Sequence, residues 1–223
     1  MAQAASDAAL RQTGLTFHHG EWNALARKAV AQELSRERIL EEARQLFAEH
    51  GYHALTMRSI AKSMGYSHGA LYYHFKEKAE LFHALVADDF KMLLSQLREM
   101  LSRSRLGEVG QLEKLMLEFI RFGLEHPNHY EMMFMIKDPE LSRYSRTEQA
   151  QCMDLFATVV RPLIARHPES DKKLYSLPWS LFMSLHGFIS YNIQNNQSFN
   201  DVKKLAEWHV RYLCSSLEGI SAS

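Results

Sequence analysis

Residues 55–78 read LTMRSIAKSMGYSHGALYYHFKEK, two short helical patterns on either side of a glycine. Thr56 has the side chain of an N-cap, and Leu55 with Ile60 has the spacing of a hydrophobic staple. A helix over Met57–Met64 would bury Ile60, Ala61 and Met64, and Gly65 would supply a left-handed stop. Ser67 then caps a second helix, with Tyr66 against Leu71 as its staple. Helix, glycine turn and helix at this spacing is the pattern of a helix-turn-helix, whose second helix enters the major groove of DNA.

The charges agree. Between Gly51 and Lys76 there is no Asp or Glu, while Arg58, Lys62 and Lys76 are positive, in a chain whose formal net charge is zero. A local excess of this kind attracts phosphate. Ser67, His68, Gly69 and Ala70 are small or polar, so the backbone can approach base edges. Tyr72, Tyr73, His74 and Lys76 carry donors that reach sugar–phosphate oxygens. The competing reading is an ordinary helical hairpin with a solvated basic face.

The run TMRSIAKSMGYSHGALYYHFKEKAELF, extended back through RERILEEARQLFAEHG, resembles the N-terminal domain of the TetR family of bacterial transcriptional regulators. The resemblance covers roughly residues 35–85. It implies that Thr56 and Arg58 open the first motif helix. Ser67, His68, Gly69, Ala70, Tyr72, Tyr73 and His74 would lie on the recognition helix, and Lys78 would contact phosphate at the start of the next helix. Ala70 stands where many members have Thr, and Glu77 where they have Ser, Asn or Asp, so no operator sequence carries over.

A chain of 223 residues, 46% hydrophobic and 23% charged, can bury a full core. Five Pro and ten Gly point to an all-α protein. No apolar run approaches the roughly 20 residues of a membrane span, and no signal-peptide pattern opens the chain, so a cytoplasmic protein is expected. Cys152 and Cys214 are isolated, and the twelve histidines show no HxxxH arrangement, so no metal or cofactor is expected. Nucleophile-elbow and phosphate-loop motifs are missing as well, which leaves no enzyme to propose.

Three parts follow along the chain. Residues 1–34 form an extension, small and polar to residue 15, then TFHHGEWNALARKAV at helical spacing. FHHGEWNALARKAV is similar to a segment that precedes the first helix in some family members. Its Arg27 and Lys28 either touch DNA as a basic arm or solvate the helix. Residues 35–80 form the helix-turn-helix domain, with a first helix capped by Ser35 and closed by Gly51. Residues 81–223 form a helical C-terminal domain: a long helix from Lys78 to Arg103, then helices near 109–125, 129–136, 146–166, 171–195 and 200–217. Asn128 is the expected cap of the short one, and Pro162 is expected to kink the fourth.

Met116, Phe119, Phe122, Met133, Phe134, Phe156, Trp179, Phe182 and His186 give this domain a store of thioethers and rings. That chemistry suits either a plain core or a pocket for an apolar or amphipathic molecule. SLHGFISYNI, 184–193, resembles a His-Gly segment of one TetR-like C-terminal domain, and the family usually binds an effector among its middle helices. His186 on an apolar face also fits a hydrogen-bonded core histidine. The last two helices show more apolar surface than one protomer's core needs, including Ile189, Ile193, Trp208 and Tyr212. The resemblance implies that they form the four-helix interface of a homodimer, which presents two reading heads to palindromic double-stranded DNA.

Overall fold

The structure, a computed structural model, describes residues 34–103, 108–136, 146–165 and 167–221. The N-terminal extension up to residue 33 and the stretch 137–145 between two expected helices lie outside the described residues. Within them the protein is all-α, with helices α1 (Arg36–Ala54), α2 (Met57–Met64), α3 (His68–Leu71), α4 (Lys78–Ser102), α5 (Val109–Glu125), α6 (Pro127–Phe134), α7 (Arg146–Ile164), α8 (Ser170–Gln194) and α9 (Phe199–Ser221).

Capping explains the first three. Ser35 accepts from the Arg38 amide, and Thr56 and Ser59 form a reciprocal capping box that satisfies two orphan amides of α2. Gly51 (φ +73°) breaks α1 where the sequence places its end, and one further turn continues to Ala54. Gly65 (φ +74°) closes α2, its amide and that of Tyr66 returning to Ala61 and Lys62 carbonyls. Leu55, Ile60 and Leu71 are all buried with Ile39, Ala43 and Phe47 of α1, so the staples are part of the small core of this unit.

In the larger part α5 is the central element, packing against α4, α6, α7, α8 and α9. Its sequence explains this: Leu112, Leu115, Met116, Phe119, Ile120, Phe122 and Leu124 are buried on nearly every side, as in a helix surrounded by others. Gly123 lets α8 approach, because a Cβ there would lie 2.6 Å from Cγ2 of Ile189. One expectation is corrected. Asn128 caps nothing; α6 starts two residues earlier than expected, with Pro127 in its first turn, where a missing amide costs no hydrogen bond. Pro162 lies inside α7, two residues before its end.

Candidate DNA-reading head and effector cavity

The reading head is built from α2, the turn and α3. Ser67 accepts from the Ala70 amide and starts α3, which is a single turn. Tyr72, Tyr73 and His74, expected on the recognition helix, instead follow it in hydrogen-bonded turns, with Tyr72 N donating to Gly69 and His74 N to Leu71. Leu71 and Phe75 anchor this segment in the core, which leaves the residues between them outside. Tyr73 is 92% exposed and Tyr72 43%, with His68 edge-on to the Tyr72 ring at 5.0 Å. Thr56, Arg58, Lys62, Ser67, His68, Gly69 and Lys76 are exposed with them, and Ala70 and His74 are half-buried.

Two residues that the motif reading missed hold the segment in place. Arg36 of α1 donates to the His74 carbonyl, stacks 4.0 Å from the Phe75 ring centre and pairs with Glu80 at 3.1 Å. Glu80 also accepts the Lys76 amide at 2.7 Å, which holds its carboxyl below the ordinary carboxylate value. Glu77, at the N-cap of α4, makes no side-chain cap bond, and Glu80 instead ties down the peptide just before it. Lys78 lies with its ammonium 4.1 Å from the Tyr52 ring centre, a cation–π contact that fixes it at the mouth of α4. Arg36 lies 38 residues from the carbonyl it braces, beyond the reach of any local motif, whereas Glu80 is four residues from the Lys76 amide it accepts.

A cavity of about 210 Å³ opens between α6, α7 and α8, lined by Phe134, Gln149, Met153, Trp179, Phe182 and His186. Four of the expected pocket residues meet there: Phe134, Trp179, Phe182 and His186. Phe119 stands behind the wall, its ring 5.9 Å from Phe182 and 5.6 Å from Phe156. Met116, Phe122 and Met133 are buried but off the wall. Phe122 lies one turn further along α5 than Phe119 and packs on His126 instead. Met153, one of the thioethers of this domain, is on the wall too, and Gln149 beside it carries no signal in the sequence because it stands in a polar run. The His186 ring lies within 14° of parallel to Phe182 and within 27° of Tyr130, with centroids 5.8 and 5.7 Å away. Its Nδ1 is 2.9 Å from the Tyr130 hydroxyl. Burial pushes the His186 imidazole down and the Tyr130 phenol well up, so both members of the bond are held toward their neutral forms.

The outer face of α8 and α9 carries Tyr191, Leu205, Trp208 and Tyr212 exposed, and Trp208 and Tyr212 border an open groove of about 580 Å³. Ile189, expected on this face, is wholly buried inside the protomer against Gly123, and Ile193 is half-buried on the same core. The reason is register: Ile189 lies on the side of α8 that meets α5. Nothing comes within 4 Å of a Cβ built at Gly187, so that glycine is not needed for packing within one chain. Among the described residues no helix is long and apolar enough to cross a membrane, and no three acidic, His or Cys groups could hold a metal.

Residues 39–85 match the family described as "Bacterial regulatory proteins, tetR family", and residues 112–213 match "Tetracyclin repressor-like, C-terminal domain". Over 190 residues the chain is 30% identical to the HTH-type transcriptional repressor AcnR of Corynebacterium glutamicum, covering 79% of this chain and 93% of that one. The transcriptional regulator FadR from Bacillus subtilis, solved in complex with stearoyl-CoA, superposes with a TM-score of 0.69 at 16% identity, covering 81% of this chain and 98% of that one. A TetR/AcrR-family regulator from Thermobifida fusca gives 0.61 at 19%, covering 80% and 96%. At such identities the two structures speak for the fold alone. The matched families and the AcnR relative carry the assignment: the chain belongs to the TetR family and is a helix-turn-helix, DNA-binding transcriptional regulator of the repressor type.

Proposed function

We propose that the protein acts in the cytoplasm as a homodimeric repressor of a palindromic operator and leaves it when a small apolar effector enters the cavity beside His186. The observation that carries the DNA half is the acid-free run through α2 and α3, in which Tyr72 and Tyr73 stand in solvent and Arg58, Lys62 and Lys76 are exposed. Thr56, Arg58, Tyr72, Tyr73, His74, Lys76 and Lys78 would hold phosphate or sugar, and Ser67, His68, Gly69 and Ala70 would meet base edges. Trp208 and Tyr212, with Tyr191 and Leu205, would form the dimer interface; two exposed aromatic stripes are costly in water and suit a self-complementary face.

The cavity favours a compact effector. Its 210 Å³ is below the roughly 300 Å³ at the lower end of drug-sized sites, and its wall is aromatic with two polar groups, Gln149 and His186. The stearoyl-CoA in the Bacillus neighbour shows what that protein holds; a long acyl chain here would require Met153 and Trp179 to move apart. Filling the cavity would press on α6 and α8, shift α4 and change the separation of the two heads. DNA offers half-sites near 34–36 Å or its multiples, so a change of a few Å weakens binding.

Selection of duplexes from random DNA by the full-length protein tests this directly. The expected product is an inverted repeat bound with strong salt dependence. Recovery of no preferred sequence, or of a single half-site bound by a monomer, would defeat it.

A further inference from the structure

Helix α6 carries, on adjacent residues, one bond to the cavity and one to the reading head. The Tyr130 hydroxyl is hydrogen-bonded to His186 on the cavity wall, as above. His129, the residue before it, places Nδ1 at 2.7 Å from Oδ1 of Asp89 on α4. The same Asp89 oxygen accepts from Arg44 of α1, whose Nη1 also lies 3.0 Å from His129 Nδ1. Three elements therefore meet at one oxygen: the first helix of the head, the helix that joins head to body, and the short helix that borders the cavity. Asp89 is 1% exposed, and its other oxygen, Oδ2, is buried with no hydrogen-bond partner.

We propose that Arg44, Asp89 and His129 form a latch through which α6 reports the state of the cavity to the reading head. The proposal rests on the effector reading given above and names its route. A desolvated carboxylate cannot give up its partners cheaply, so Asp89 must keep Arg44 and His129 or rearrange with them. A push on Tyr130 that moves α6 therefore moves His129, and the buried carboxylate passes that displacement to Arg44 and α1. The unpartnered Oδ2 supplies a second position: Arg44 can share Oδ1 with His129 or meet Oδ2 while His129 keeps Oδ1, two discrete arrangements that differ in where α1 stands relative to α6. Packing alone would spread the same push over the whole core. The cluster gives it one address on α1, eight residues from the Arg36 that braces the recognition turn.

A mutant cycle in the full-length chain tests the latch without an effector. Tyr130→Phe releases the bond to His186 and keeps the ring. Asp89→Asn keeps the shape of the latch and removes its charge; His129→Gln, at a partly exposed position, serves if the first variant melts at room temperature. Hydrogen–deuterium exchange of the α1 amides is the readout. Tyr130→Phe should change that exchange by roughly threefold or more with the latch intact, and by much less when it is cut. Affinity for a duplex selected by the wild-type protein should follow the same pattern. An equal effect of Tyr130→Phe in both backgrounds, or none in either, overturns the latch. If the wild-type chain selects no duplex, the operator reading of the preceding section falls, and the exchange cycle alone still decides the latch.

Discussion

The Tyr130 hydroxyl and the His186 Nδ1 lie 2.9 Å apart between two neutral rings, a phenol raised and an imidazole lowered by the same burial. This bond ties α6 to the α8 wall of the cavity, and Nε2 of the same imidazole lies 3.4 Å from the Ser190 hydroxyl.

Because His186 is held neutral, its contribution to stability has a definite pH window. Its folded value is below the ordinary 6.5, so on acidification the unfolded chain takes up the proton first. The stabilisation is complete above about pH 6.5 and is lost as pH falls through that value toward the folded one. His126 and His209, also lowered chiefly by burial, act in the same direction. Unfolding midpoints in urea between pH 7.5 and 5 should fall less steeply for His186→Gln than for the wild type. Parallel curves would show that His186 is not held neutral.

Gly123→Ala should destabilise the fold by about 1–3 kcal/mol, since its Cβ would meet Ile189 at 2.6 Å and the Tyr130 ring at 3.1 Å. Ile189→Ala removes the first clash at the cost of a cavity, so the two changes together should cost less than their sum. Urea unfolding of the four chains measures this; additive losses would contradict the close approach of α5 and α8.

Lys78→Ala should weaken binding to all operators by a similar factor and lower the salt slope of log K by about 0.9. Tyr72→Ala should weaken all sites alike with little change in slope, and His68→Ala should relax the preference at one base pair in each half-site. Fluorescence anisotropy across salt concentrations separates the three. An unchanged slope for Lys78→Ala would place its ammonium on Tyr52 as a packing contact only.

Trp208→Glu and Tyr212→Glu should leave the protomer folded, because these side chains are 69% and 80% exposed, yet drive it to monomer in sedimentation. Operator affinity should then fall by at least about tenfold, since one head loses the advantage of its tethered twin. Dimers of undiminished stability would place the interface elsewhere.

Helix caps, glycine stops and the acid-free run are local properties, and the sequence by itself determined them: Ser35, Thr56, Gly65 and Ser67 act within a few residues of where they stand. The α5 and α8 periodicities likewise marked a helical core. What the sequence left open was which side of each helix meets which neighbour. Ile189 and Trp208 are both apolar residues on terminal helices, and only packing against Gly123 put one inside and left the other in water. The same holds for Arg44, Asp89 and His129, which lie 45 and 40 residues apart along the chain and share one oxygen only in the folded protein. Short-range capping is written in residues a turn apart, whereas facing and long-range ion pairing depend on how helices rotate as the core closes.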